Sequence, residues 1–288
     1  MILAINYADK KFLNAQKYNS FTAKKIGEVD RVIEYGPHMI DESFKIRNSK
    51  WFVEGDSQIG KYGLWRPLIV CDAYEKMAEG DYLIYSDAGT YFVNSVKPLI
   101  EMMEENKENI LVFELPFIEK CWTKRDVFVR LNVDQAKYTE SNQRLSTVFV
   151  LKKGKDSDEF IEMYKEAALE FPELFTDEEN TSGLDNYPGF IQNRHNQSVL
   201  SLISKKLGIV AHRDPTEYGL HPELYFSYLI PRSCFNICTY PDDKYPQIFV
   251  QHRSGKVNAK VKCLAIIRSH FPVCISGSII KLIKRLKK

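Results

Sequence analysis

The residues that could do chemistry in this chain are few and widely spaced. "YLIYSDAGT" (82–90) runs apolar and then stops on one carboxylate, Asp87, set among Ser86, Ala88 and Gly89. The run has the character of a strand buried on both faces, and the small residues mark its end. Ligands of open α/β sheets collect at the carboxyl ends of strands. A lone carboxylate there can hold a hard cation or cap the following turn, and the local pattern leaves both uses open. Asn196-Gln197, at the start of a helical pattern, offers two amides. Amides brace hydroxyl groups but cannot act as a general base, and Asn196 is equally a favoured helix cap. Lys124-Arg125 is a basic pair that local pattern alone leaves on a solvated loop, and His252 is a lone imidazole after an apolar run.

An alternation of elements must position these groups. Strands are predicted over 2–8, 30–36, 81–87, 110–115, 146–153 and 248–252, where apolar and β-branched residues run between turn formers. Helices are predicted over roughly 10–25, 66–80, 95–109, 156–171 and 196–208. Gly80 and Gly208 act as stops, and Pro98 lies in a first turn. The segment "GLDNYPGFIQNRH" (183–195) is turn-rich, polar and aromatic, which suits an ordered loop at a site. The β-α-β rhythm implies an α/β fold with a mostly parallel central sheet flanked by helices and right-handed crossovers.

The chain has 288 residues, 44% of them apolar, enough for a full core. Six cysteines without a C-x-x-C pair argue against a disulfide framework and for a reducing compartment. The apolar run in "MILAINYADKK" is too short for a signal peptide, and no stretch is long and apolar enough to span a bilayer. The net charge of +2 hides an asymmetry: residues 253–288 carry ten Lys or Arg and no acid, leaving 30 basic against 38 acidic side chains in residues 1–252. The tail "SGSIIKLIKRLKK" places Ile279, Leu282, Ile283 and Leu286 on one stripe with lysines and Arg285 around it. Such a basic amphipathic helix suits an anionic membrane surface. Nucleic acid is not expected as a partner, because the basic residues interleave with aliphatics and the body is acidic.

An aspartyl-phosphatase signature, Asp-x-Asp-Gly-Thr, does not fit. Aligning Gly89-Thr90 to it puts Ser86 and Ala88 where the acids belong, and the nucleophile is missing. A different pattern fits better. "NYADKKF" (6–12), "VIEYGP" (32–37), "YGLWRPLIV" (62–70), "GDYLIYSDAGT" (80–90), "WTKRDVF" (122–128), "NRHNQSVLSL" (193–202) and "DPTEYG" (214–219), in that order, resemble GT-A-fold glycosyltransferases from bacterial and viral polysaccharide loci. The resemblance covers roughly residues 3–220. The Asp-x-Asp motif of that group stands here as Asp-x-Gly, with Gly89 in place of the second acid.

The resemblance implies a nucleotide-sugar donor and a divalent cation, Mn2+ or Mg2+, against the donor's diphosphate. It makes Asp87 and His252 metal-ligand candidates, and Tyr7, Ala8, Asp9, Ser86, Ala88 and Gly89 donor-site candidates. Arg66, Lys124, Arg125 and Lys256 become phosphate contacts, and Asn196 and Gln197 become catalytic candidates beside the sugar or the acceptor, with Asp185, the nearest other carboxylate in sequence, a third. Asn196-Gln197 stands where related enzymes have Asp-Gln or Glu-Asp, which leans toward a retaining reaction. The implied organisation is a glycosyltransferase domain over 1–255, in halves 1–120 and 121–255, followed by the basic tail 256–288. The implied acceptor is a glycan, with a lipid-linked one suiting the tail, and the implied place is cytoplasmic, peripheral at the inner membrane face. Two rivals stay open: a nucleotidyltransferase on a related sheet, which would want a glycine-rich phosphate loop that "NYADKKF" lacks, and a catalytically degenerate sugar-binding protein.

Overall fold

The computed structural model describes residues 1–52, 62–225, 230–252, 255, 257–259 and 263. Nine strands are formed among them: β1 (Ile2–Tyr7), β2 (Arg31–Tyr35), β3 (Tyr82–Ser86), β4 (Thr90–Phe92), β5 (Ile110–Ile118), β6 (Asn142–Arg144), β7 (Val148–Lys152), β8 (Ala211–Arg213) and β9 (Phe249–Gln251). The α-helices are α1 (Leu13–Lys25), α2 (Glu42–Arg47), α3 (Arg66–Glu75), α4 (Lys97–Asn106), α5 (Glu119–Trp122), α6 (Arg125–Arg130), α7 (Ala136–Thr139), α8 (Lys155–Glu170), α9 (Asn196–Lys206) and α10 (Glu217–Leu220).

The central sheet has seven strands in the order β2-β1-β3-β7-β5-β6, with β8 also paired to β5. β1 is parallel to β2 and β3, and β8 is parallel to β5. β7 is antiparallel to both β3 and β5, and β6 is antiparallel to β5. Five of the seven strands therefore point one way, with β7 and β6 reversed. Alternation along the strands splits the core between the two faces. Leu3, Ile5, Leu83, Tyr85, Phe149 and Leu151 pack with α3, α8 and α9 on one side. Ala4, Ile84, Val148 and Val150 pack with Ala23, Leu99 and Met103 on the other. Burial on both faces explains why these strands read as unbroken apolar runs.

One polar position interrupts that pattern and fixes the site's floor. Asn6 in β1 is fully buried, and its Nδ2 donates to Asn19 Oδ1 at 2.7 Å and Ser20 Oγ at 3.0 Å, both on α1. Asn19 Nδ2 donates onward to Ser86 Oγ at 2.9 Å and the Thr90 carbonyl at 3.0 Å. An unpaired buried amide would cost about 1–3 kcal/mol, so the network ties α1 to the turn that carries Asp87.

The differences from the predicted elements have local causes. α1 starts at Leu13 rather than Lys10, because Asp9 Oδ1 accepts from the N–H groups of Lys11 (3.0 Å) and Phe12 (3.2 Å) and holds a turn there. β5 runs on past Pro116 with a shift of register against β6 between Glu114 and Ile118, the kind of irregularity at which a strand accommodates proline. β4 was hidden in "TYF" and pairs antiparallel with β9; the N–H of His252 then donates to the Gly89 carbonyl at 3.0 Å. The late strand thus docks on the turn after Asp87. Lys256 and the expected helix of the tail lie outside the described residues. Among the described residues no helix is long and apolar enough to cross a membrane.

Candidate active site

A cavity of about 670 Å³ opens at the carboxyl ends of β1 and β3. Tyr7, Ala8, Asp9, Arg66, Asp87, Ala88, Gly89 and Gln197 line it, brought from four distant segments. Ser86 lies beneath, fully buried and held by Asn19. Asn196 also stands behind the wall rather than on it, 9% exposed. Sequence reasoning missed Lys11, Trp65, Thr147, Arg194 and Gln251, which line the cavity as well. Gly255 comes back to this region: a Cβ there would sit 2.2 Å from the Lys11 carbonyl oxygen, so only glycine allows that approach.

Besides Ser86 and Asn196, four expected residues among those described do not line the cavity: Lys124, Arg125, Asp185 and His252. Lys124 is buried and spends its ammonium on the carbonyls of Glu173 (2.8 Å) and Glu178 (3.1 Å). Arg125 pairs with Asp134 at 2.8 Å and lies over the Tyr187 ring. Asp185 is exposed on its loop and is not part of the lining. The basic pair is engaged by the carbonyls of Glu173 and Glu178 and by Asp134 and Tyr187, away from the cavity lining.

Arg66 is the centre of the charged wall. It is the first residue of α3, ahead of Pro67, whose ring favours that first turn. Its Nη2 donates to Asp87 Oδ1 at 2.7 Å, and Tyr85 Oη donates to the same oxygen at 2.6 Å. Nη1 donates to the Ser146 carbonyl and Ser146 Oγ, both at 2.8 Å, and to Asn196 Oδ1 at 2.6 Å. Burial opposes the guanidinium charge, but Asp87 beside it holds its pKa above the ordinary value. Burial pushes the Tyr85 hydroxyl well up, so it remains a donor. Gly63, at φ +63°, is where Asn196 closes in; a Cβ there would meet Asn196 Nδ2 at 2.2 Å.

A second chain of contacts leads from the core to Gln197. Glu119 is fully buried and accepts from Thr123 Oγ1 (2.6 Å), Gln143 Nε2 (3.0 Å), Lys205 Nζ (2.5 Å) and Ser201 Oγ. A carboxylate only accepts, so Gln143 must turn its NH2 inward and its oxygen outward. That oxygen receives Gln197 Nε2 at 2.7 Å, which leaves Gln197 Oε1 beside the Ser146 N–H at 3.4 Å. The polarity of the Gln197 amide at the cavity is set by a carboxylate two residues removed.

The far wall differs in kind. Phe117, Tyr218, Leu224, Tyr225 and Ile230 line it, with the Tyr218 and Tyr225 rings stacked at 4.3 Å. Leu224 is 57% exposed although apolar. Tyr7, expected to stack on a base, is itself 5% exposed and stacked on Trp65 at 3.7 Å.

The donor set fits a divalent cation poorly. Magnesium sites often use only one or two carboxylates plus substrate phosphates, so the missing second acid does not decide the matter. The guanidinium does: it stands 2.7 Å from Asp87 Oδ1 and would repel a cation on the same carboxylate. Among the described residues no three His, Cys, Asp or Glu side chains come together to hold an ion. His252 reaches the Gly89 turn through its backbone, its ring lies 5.6 Å from that of Tyr91, and burial lowers its pKa.

No protein-family model matches the chain, and no curated protein does either. Among solved structures, a glycosyltransferase involved in glycosylation of the major capsid of PBCV-1 aligns at 14% identity and a TM-score of 0.44, over 92% of this chain and 98% of that one. The galactosyltransferase LgtC, solved with donor and acceptor sugar analogues, aligns at 13% and 0.44, over 88% and 87%. Mouse xyloside xylosyltransferase 1 aligns at 9% and 0.43, over 90% and 98%. These are distant likenesses.

Proposed function

We propose that this chain is a glycosyltransferase with a GT-A-like domain over residues 1–255, moving a sugar from a nucleotide-sugar donor to a glycan acceptor. The observation that carries the proposal is convergence. Segments picked out by the resemblance at 7–9, 66, 87–89 and 197 surround one cavity at strand ends, where an α/β sheet binds its ligands. The polar wall of Asp9, Arg66 and Asp87 suits the nucleotide and diphosphate. The apolar wall of Phe117, Tyr218 and Tyr225 suits the flat face of an acceptor sugar.

The described lining holds two carboxylates, Asp9 and Asp87. Asp9 Oδ1 accepts from backbone N–H groups and Asp87 Oδ1 from Arg66 and Tyr85. Asn196 receives Arg66 and cannot take a proton. An inverting reaction wants a base in this place, so a retaining one is the better fit, with the Gln197 amide oxygen facing the sugar. Departure of the nucleoside diphosphate is then the main electrostatic demand, and Arg66 meets it. The basic tail, 256–288, would hold the enzyme on an anionic membrane at the cytoplasmic side, near a lipid-linked acceptor of surface polysaccharide synthesis.

The same commitments are what a degenerate sugar-binding protein would show. Incubation with a panel of nucleotide sugars and detection of released nucleoside diphosphate separates the two. The enzyme turns over at least one donor slowly, and Gln197→Ala lowers that rate by about tenfold or more with donor affinity kept. Binding without release, across the panel and with a glycan acceptor present, marks the binding protein.

A further inference from the structure

We propose that Arg66 supplies the fixed positive charge facing the donor's diphosphate, and that Asp87 anchors this guanidinium instead of holding a metal ion. The inference rests on the donor site proposed above and specifies its chemistry.

An arginine has five N–H donors. Two on Nη1 serve Ser146 and Asn196, and one on Nη2 serves Asp87. The Nε–H is buried with no described partner. Tyr7 Oη and Trp65 Nε1, on the same wall, are also buried donors with no described partner. Phosphate oxygens only accept, so this surplus of donors matches them. The guanidinium lies 4.7 Å from the centre of the Tyr85 ring and 5.5 Å from that of Trp65, and Asp87 and Asn196 grip its edges. It needs no reorganisation to meet a developing charge.

Charge bookkeeping at the cavity agrees. The charged lining residues are Lys11, Arg66 and Arg194 against Asp9 and Asp87, a net of +1 before any ion binds. A second acid at position 89 would bring that net to zero and increase the need for a cation at the diphosphate. Gly89, in the second acid's place, removes that need.

The two schemes give opposite signs for one substitution. As a metal ligand, Asp87 is indispensable. As an anchor, Asp87→Asn keeps an oxygen for Arg66 and Tyr85 while removing a negative charge beside the diphosphate. Calorimetric titration with uridine, guanosine, cytidine and thymidine diphosphates, in EDTA and in Mn2+, reads the difference. The expected result is a nucleoside diphosphate bound equally in both within about threefold, tightened about threefold to tenfold by Asp87→Asn, and weakened about a hundredfold by Arg66→Met. Circular dichroism melts check that each variant is folded; if Arg66→Met is not, the Asp87→Asn comparison decides alone. Binding that needs Mn2+ and is abolished by Asp87→Asn overturns the inference while leaving the transferase reading intact. No binding of any nucleotide with or without metal overturns both.

Discussion

Two buried ion pairs of this molecule look alike in distance and differ in everything that matters for function. Lys205–Glu119 closes at 2.5 Å with side chains 8% and 0% exposed. Arg66–Asp87 closes at 2.7 Å with side chains 7% and 33% exposed. Around Glu119 every neighbour is a donor from the protein itself: Thr123, Gln143, Ser201 and Lys205. Around Arg66 the Nε–H is left without a described partner, and the partner carboxylate opens to a cavity. A closed pair organises a core; a pair with a spare donor and an open side is placed to meet a ligand.

Breaking the closed pair should have the largest effect. Glu119→Leu leaves the Lys205 ammonium buried without its counter-ion, an expected loss of about 3–5 kcal/mol in urea unfolding. The double variant Glu119→Leu/Lys205→Met should recover most of it, because a well-packed apolar pair is often as stable as a buried ionic one. Asp87→Asn, at the open pair, should change stability by about 1 kcal/mol or less, since its carboxylate is part-exposed. Equal losses at the two sites would erase the distinction.

Much of this contrast was out of reach of the sequence. β1, β3, α3 and α9 were legible because doubly buried strands read as apolar runs and because Gly208 marks a helix end, whereas α3 stops at Glu75, ahead of the expected stop at Gly80. Gly208 stops α9 as expected: its N–H donates to the Lys205 carbonyl, at φ +70°. Asp87 was visible at a strand end, but its partner was not, since Arg66 lies 21 residues away in another element. Lys124-Arg125 looked like free charge because the carbonyls of Glu173 and Glu178 and the Asp134 carboxylate that absorb it are set by tertiary packing. The three-residue strands β4, β6 and β8 carry too few residues to show a period, so Gln251 could not be placed beside the Asp87 turn. Glu119, the acid that orients Gln143, follows directly on a strand with nothing local to mark it.

The relay from that acid sharpens the comparison by joining its two halves. Gln143→Met keeps the volume and removes the polarity that Glu119 imposes on Gln197. The rate of donor hydrolysis should fall about tenfold with KM nearly unchanged, alongside a stability loss of about 1–3 kcal/mol from the buried partners that Gln143 leaves unpaired. In a Gln197→Ala background the same substitution should do almost nothing. Additive losses would mean that Gln143 acts through packing alone.

A smaller and pH-dependent effect is expected at a second closed cluster. His212 lies between Asp243 (2.8 Å at Nδ1) and Glu108 (2.9 Å at Nε2). Burial alone would lower its pKa, but the hydrogen bonds and charges of the two acids together raise it to about 9. A raised folded-state value means that the stabilisation is complete below the unfolded pKa of about 6.5 and is lost as pH rises through about 9. The urea midpoint should therefore fall between pH 7 and pH 10, and His212→Asn should flatten that fall without changing nucleotide affinity at pH 7. A fall that His212→Asn leaves unaltered would assign it to other groups.

The proposed donor site is tested most directly by a crystal structure grown with the nucleotide sugar that the panel selects. The expected result is density for the diphosphate within hydrogen-bonding distance of Arg66, with the sugar facing Gln197 and the Arg66–Asp87 contact kept. A donor lying outside the cavity between Asp87 and Gln197, or seated there with a metal ion on Asp87 and Arg66 turned away, would contradict it.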